Sequence, residues 1–321
     1  MRDFEGRIAV VTGGGSGMGQ ELVRQLAAHG CHVATCDVAE DGLNETKNLS
    51  EETAPAGTII TTFVSDVSDE RQILAFRDHV ASAFKTDHIN LLFNNAGIGG
   101  GGSFVLDSRE EWDATFAVCW SGVYLCLRAF LPMLIASDEG HVVNTSSVNG
   151  FWASLGPNLP HTAYSAAKFA VKGLTEALIT DFRLNAPHLR ASVVMPGHVG
   201  TSIVFNSGRY LGRDLKDLTD EQVAEARVRS ERLGIPTGDA SDEDIRQGLV
   251  AQAELFRDSA PISAAEAATV ILDDVRNDRW RILIGGDAEL LDQMVRQQPE
   301  AAYEPGFVGR LDASSLFRLV P

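Results

Sequence analysis

Tyr164 and Lys168 form the pattern Tyr-x-x-x-Lys, inside a stretch whose periodicity predicts a helix over 163–185. A spacing of four puts two helical side chains on one face, one turn apart. A free phenol ionises near ~10, too high for a base at neutral pH. A nearby ammonium favours the phenolate and lowers that value. The pattern is common by chance, and alone it reads equally well as an exposed tyrosine beside a salt-bridging lysine. Ser147 changes the balance. It lies in Asn144-Thr145-Ser146-Ser147-Val148-Asn149-Gly150, at the end of a predicted strand. A hydroxyl there can hold a substrate oxygen and stabilise charge developing on it. Ser146 is the rival. Successive strand residues point to opposite faces, and Ser147 is the preferred one.

A phenol set up this way can move a proton at a substrate oxygen. Thr12-Gly13-Gly14-Gly15-Ser16-Gly17-Met18-Gly19 follows the first predicted strand and opens the first helix. Glycines permit a tight turn and close approach of a pyrophosphate, which the helix N-terminus then attracts. Strand, glycines and helix in that order make a dinucleotide turn, with Gly13, Ser16, Gly17, Met18 and Gly19 as its contacts. Asp37 ends the second strand, where a carboxylate accepts hydrogen bonds from both ribose hydroxyls and repels a 2′-phosphate. Cys36 and Val38 beside it are neutral and the turn holds no Arg or Lys, so NAD is expected over NADP. The positive nicotinamide ring would add to the pull on the Tyr164 proton. Asp66-Val67 and Asn94-Asn95-Ala96-Gly97 follow the third and fourth strands, at the carboxyl ends where ligands bind such sheets; either alone is a turn signal.

The elements that must position these groups alternate. Strands are expected at Arg7–Thr12, His32–Asp37, Thr58–Val64, Ile89–Asn94, His141–Ser146, Arg190–Met195 and Trp280–Gly285, with helices near 18–30, 68–84, 109–136, 163–185 and 263–276. Near-continuous Val/Ile/Leu strands are those of a parallel sheet covered on both faces. The alternation predicts an α/β, Rossmann-type doubly wound sheet, mainly parallel and seven-stranded, as a single domain over 1–321. Residues 202–261 interrupt it as a helical insertion, with capping-box signals at Thr219-x-x-Gln222 and Ser241-x-x-Asp244. Residues 287–321 form a C-terminal extension, helical over Ala288–Gln298. It carries a late apolar patch of Leu316, Phe317, Leu319 and Val320, expected to dock on this subunit or a neighbour.

Composition narrows the partners. Hydrophobic residues make up 44% and charged residues 22% of the 321, with a formal net charge of −17. That charge argues against nucleic acid and anionic membranes, and no apolar run approaches the ~20 residues of a membrane span. The N-terminus runs straight into a strand with no cleavable leader pattern. Cys31, Cys36, Cys119 and Cys126 form no C-x-x-C pair and meet no His cluster. They read as buried free thiols in a reducing cytoplasm, with no metal site.

Taken together, TGGGSGMG (12–19), DV (66–67), NNAG (94–97), NTSS (144–147), YSAAK (164–168) and PG-HVGT (196–201) resemble the short-chain dehydrogenase/reductase family. The resemblance spans about residues 5–200 in family order, and the seventh strand extends it to about 286. It implies hydride transfer between an alcohol or carbonyl and NAD, a homodimer or homotetramer, and a small-molecule substrate. It also assigns Pro196, Gly197, Val199 and Thr201 to the nicotinamide side, and places the substrate lid at 202–261. One departure is Cys119, which stands where the family carries an asparagine whose carbonyl serves a proton relay beneath the lysine. Phe151, Trp152 and Leu155, if they line the site rather than the core, suit a bulky apolar substrate such as a steroid, terpenoid or aromatic carbinol. His161 and His198 flank the motifs, as structural groups or as partners for a polar substituent. Alternatives on the same scaffold are an enoyl reductase, dehydratase or epimerase, or a non-catalytic NAD-binding regulator.

Overall fold

The computed structural model describes residues 1–156, 159–232 and 234–312. β1 (Ile8–Thr12), α1 (Gly17–Ala28), β2 (His32–Asp37), α2 (Glu40–Glu51), β3 (Ile60–Val64), α3 (Glu70–Phe84) and β4 (Leu91–Asn94) make the first half. α4 (Arg109–Phe116), a π-helical turn (Ala117–Ser121), α5 (Gly122–Ile135), β5 (Gly140–Thr145), α6 (Thr162–Asn185) and β6 (Leu189–Pro196) follow. Then come β7 (Val199–Gly200), α7 (Ile203–Tyr210), α8 (Asp220–Arg232), α9 (Asp242–Asp258) and β8 (Ile262–Ser263). α10 (Ala264–Arg276), β9 (Arg281–Ile284), α11 (Gly286–Gln297) and α12 (Pro305–Asp312) complete the described chain.

The seven-stranded sheet has the order β3-β2-β1-β4-β5-β6-β9, and its pairings are parallel. The order reverses beside β1, which opens the crevice where such sheets bind ligands. β1 shows why the strands read as unbroken apolar runs. Ile8 and Val10 point to one face, against Phe76, Val80 and Phe130; Ala9 and Val11 point to the other, against Leu22, Leu26 and Ile271. Each face is closed by helices, so both sets of side chains leave water. Phe130, fully buried and edge-on to Phe76 at 5.6 Å, contributes about 1.5–3 kcal/mol by burial alone.

Two elements depart from the sequence reading. α2 has no apolar stripe to announce it; it buries only Leu43, Thr46 and Ser50. It docks through polar contacts, with the Thr46 hydroxyl donating to the Gly14 carbonyl at 2.8 Å. The single helix expected over 109–136 is split by the π-helical turn. The rod Arg109–Ile135 is also long and apolar enough to cross a membrane by composition, contrary to the count of uninterrupted apolar runs. Its apolar residues are spent instead on α3, α6, β4 and β5.

The insertion folds as α7, α8 and α9, and both capping signals operate. Thr219 and Gln222 exchange bonds of 3.0 and 3.2 Å, and Ser241 and Asp244 form a capping box. Beyond α11, the Trp152 indole donates to the Ala302 carbonyl at 2.8 Å and packs on Phe307. The tail is therefore fastened to the segment that follows Ser147. The apolar patch at 316–320 lies outside the described residues.

Candidate active site

β5 ends in two serines with different work. The Ser146 hydroxyl turns inward and donates to the Lys168 carbonyl at 2.7 Å. Ser147 continues extended, accepts the Asn149 N–H at 3.1 Å, and its hydroxyl hydrogen-bonds that of Tyr164. Asn149 also donates to the Trp152 and Ser154 carbonyls at 2.9 and 2.8 Å, which closes the loop around Ser147.

α6 supplies Tyr164 and Lys168 one turn apart. Lys168 is 2% exposed; its Nζ donates to the Thr145 carbonyl at 2.8 Å and lies 5.3 Å from the Tyr164 ring centroid. The His161 ring stacks on Tyr164 at 4.6 Å, nearly parallel. Burial pushes His161 down to about 4, so it is neutral at physiological pH. Burial pushes the Tyr164 hydroxyl well above its ordinary value, and the Ser147 hydrogen bond pulls the other way. Lys168 does not supply the expected lowering. Its ammonium bonds the Thr145 carbonyl and lies over the Tyr164 ring. Among the protein's own groups, the phenol is held protonated.

Cys119 sits inside the π-helical turn, a distortion often found at functional sites, and donates through Sγ to the Ile98 carbonyl at 3.1 Å. Ala96 and Gly97 pass between this turn and α6. A Cβ at Gly97 would lie 3.4 Å from Lys168 Nζ and 3.8 Å from Cys119 Sγ.

The glycine turn is tight for steric reasons. Gly13 has φ +70°, and a Cβ on it would stand 2.7 Å from Ala96 Cα; one on Gly19 would stand 2.0 Å from the Gly13 carbonyl oxygen. Thr12 ties the turn to β4, its hydroxyl accepting the Asn95 and Ala96 N–H groups at 3.1 Å. The first turn of α1 has no side-chain cap at Ser16 and no acidic residue, which leaves its N–H groups and positive end for an anion. Asp37 accepts the Gly15 and Ala39 N–H groups, both at 3.0 Å. Its carboxylate is thus fixed at the end of β2 with lone pairs remaining. These residues fit a dinucleotide: pyrophosphate at the glycine turn and adenosine ribose at Asp37.

Other sequence candidates are placed differently. The Asn94 side chain is buried and donates to Asn144 at 2.7 Å, and Asn144 in turn to Thr175 at 2.9 Å. Asn94 therefore belongs to the core through its side chain. Val67 packs beneath Gly122, and Met18 packs on the core cluster of α1 and α10. Asp66 accepts Ser68 twice and the Tyr210 hydroxyl at 2.8 Å. Gly197 follows Pro196 at the end of β6, where a Cβ would lie 2.3 Å from the Asp287 carboxylate. Val199 is buried in the β7–β8 pair, and Thr201 lies against Gly17. His198 donates through its backbone to Asp287 at 2.7 Å, and its ring bonds the Phe256 carbonyl, a structural use. Trp152 is core, while Phe151 and Leu155 are half-buried.

Sequence reasoning passed over Asp287, Asn206 and Tyr210. Asp287 is 3% exposed, with one carboxylate oxygen lacking a partner. Only a Gly-Gly-Asp step after the last strand hinted at it.

A doubly wound sheet carrying this glycine turn, with a Ser-Tyr-Lys cluster at the carboxyl ends of its central strands, defines a nucleotide-binding oxidoreductase. The chain belongs to the short-chain dehydrogenase/reductase family: the family model for short chain dehydrogenase matches residues 7–209. A putative oxidoreductase SadH of Mycobacterium tuberculosis is 36% identical over 214 residues, covering 67% of this chain and 74% of that protein. Levodione reductase of Leifsonia aquatica is 35% identical over 209 residues, 65% and 75% of the two chains. Among solved structures, a short-chain dehydrogenase/reductase from Burkholderia phymatum in complex with NAD aligns with a TM-score of 0.73 and 28% identity, over 95% of this chain and 98% of that one. A metagenomic short-chain oxidoreductase in complex with NADP aligns with a TM-score of 0.53 and 33% identity, over 60% and 83%.

Proposed function

We propose that this oxidoreductase interconverts a secondary alcohol and a ketone, with Tyr164 as the proton-transferring group and NAD as cofactor. The observation that carries the reading is the Tyr164 hydroxyl bonded to Ser147, beside the buried ammonium of Lys168. When bound, the nicotinamide supplies or accepts the hydride. Ser147 holds the substrate oxygen, and Tyr164 gives it a proton in reduction or takes one in oxidation. Lys168 holds the adjoining ribose. Asp37 supports NAD over NADP: its carboxylate, fixed at the end of β2 by the Gly15 and Ala39 N–H groups, would repel a 2′-phosphate. A relative named levodione reductase favours carbonyl chemistry over the other reactions known on this scaffold.

A bulky apolar substrate is supported by the mouth of the site. Gly101 and Gly102 accept the Ala163 and Thr162 N–H groups, which brings the following loop to the start of α6. That loop carries Phe104, Val105 and Leu106 largely exposed, at 75%, 88% and 55%.

The test is Tyr164→Phe, assayed by NADH absorbance against a panel of hydrophobic ketones and alcohols, with NADH binding measured in parallel. Turnover should fall by at least about a hundredfold, the usual weight of a positioned acid/base, with binding preserved. Full turnover in the variant would dispose of the proposal.

A further inference from the structure

α7 crosses the dinucleotide crevice and is bonded to three of the motifs that line it. The Asn206 amide donates to the Ser16 hydroxyl of the glycine turn at 2.9 Å. The Ser207 hydroxyl accepts the Gly99 N–H at 2.8 Å, just past Gly97. The Tyr210 hydroxyl donates to Asp66 at the end of β3, at 2.8 Å. Tyr210 and Leu211 also pack on the core cluster that includes Ala96 and Ile98.

The sheet order tells which part of a dinucleotide meets which strand. With pyrophosphate at β1 and ribose at the end of β2, the next group outward reaches β3, and that group is the adenine. Its exocyclic amine is an N–H donor, and Asp66 is a carboxylate acceptor at that edge. One Asp66 oxygen is already filled by the Ser68 amide and hydroxyl, at 2.8 and 2.7 Å. The other accepts the Tyr210 hydroxyl, so an adenine amine arriving there would have to share that oxygen with, or displace, the protein's own phenol.

We infer that α7 competes with the adenosine half of the dinucleotide, Tyr210 occupying on Asp66 the acceptor that the adenine amine requires. The inference rests on the dinucleotide reading above. Gly200, before α7, is held in the β7–β8 pair, but Gly212 after it has φ +75° and a Cβ there would meet nothing within 4 Å, so the C-terminal end of α7, which carries Tyr210, is the end free to lift. Cofactor affinity is then set partly by the fraction of molecules in which α7 has lifted, since a site that is open only part of the time binds correspondingly more weakly.

The experiment is calorimetric titration of the full chain with NAD and with ADP-ribose, on the wild type, Tyr210→Phe and Asn206→Ala. Hydrogen–deuterium exchange of residues 202–212 is followed with and without NAD. Removing the phenol oxygen should tighten both ligands about tenfold, equivalent to about 1.4 kcal/mol, with a smaller gain for Asn206→Ala. NAD should raise exchange in α7. Unchanged or weaker binding by Tyr210→Phe, or slower α7 exchange on NAD binding, would overturn the inference and make α7 a clamp on the ligand. A wild type that binds NAD while the variants gain nothing refutes this inference alone. No binding by any of the three proteins removes the dinucleotide reading itself, and the inference with it.

Discussion

Replacing Lys168 by methionine should make the protein more stable while disabling it. Lys168 is 2% exposed, and burial holds its ammonium below the ordinary lysine range. Among the described residues its ammonium bonds the Thr145 carbonyl at 2.8 Å. Taking an ion out of water costs several kcal/mol even after relaxation, and one hydrogen bond to a charged group returns about 1.5–3 kcal/mol. Methionine keeps the stem's packing and removes the charge. A net gain of about 1–2 kcal/mol follows, which in a chain of this size raises Tm by about 1.5–3 °C. The pH dependence fixes the cause. The folded pKa lies below the unfolded value of ~10.4, so the unfolded chain holds more protons between the two values. Wild-type stability therefore rises with pH across that window, and below it the penalty is constant and full. Thermal melts of both proteins should show the methionine variant ahead at pH 7, and the gap closing as the pH approaches ~10.4. Turnover should fall by about a hundredfold or more. A variant that melts below the wild type at pH 7, or a gap indifferent to pH, would show that the buried ammonium is not the liability described.

Two further outcomes are expected. Asp37→Ser removes the charge at the ribose and should weaken NADH about tenfold while improving NADPH, read as the ratio of their kcat/KM values; an unchanged ratio would place cofactor selection elsewhere. Phe307→Ala empties the tail's anchor on Trp152, where the rings lie 5.9 Å apart and Phe307 is 1% exposed. It should cost about 3–5 kcal/mol and raise substrate KM more than it lowers kcat, because the loop beginning at Ser147 loses its support. A fall in Tm without a KM change would confine the tail to stability.

The sheet was legible because its physics is local. β1 and β5 bury both faces, so each is an apolar run that spacing alone marks as a strand. The Tyr164–Lys168 pair and the glycine turn were legible for a similar reason: their geometry is set within one helix or one turn. α2 was not, since it docks on the glycine turn through Thr46 and a close-packed Gly42 rather than an apolar stripe. Asp66 and Tyr210 lie far apart in the chain, and no pattern within either segment announces the bond between them. Asn94 shows a different limit. Its motif marks the carboxyl end of β4, while its side chain bonds Asn144 on β5, which in turn bonds Thr175 on α6. A motif marks a backbone position well and the direction of a side chain poorly.

The protein's own groups set the resting protonation of the site. Desolvation favours the neutral Tyr164 phenol, neutral His161 stacks on its ring without adding charge, and the Lys168 ammonium is turned to a carbonyl. Among the described residues, the Ser147 hydroxyl opposes them. Raising a phenol's pKa keeps it protonated but also makes it a weaker acid, so these groups by themselves favour proton transfer in neither direction. On the proposed reading, positive charge brought against the same hydroxyl by whatever shares the crevice would return its pKa toward the working range, as a positioned acid/base requires.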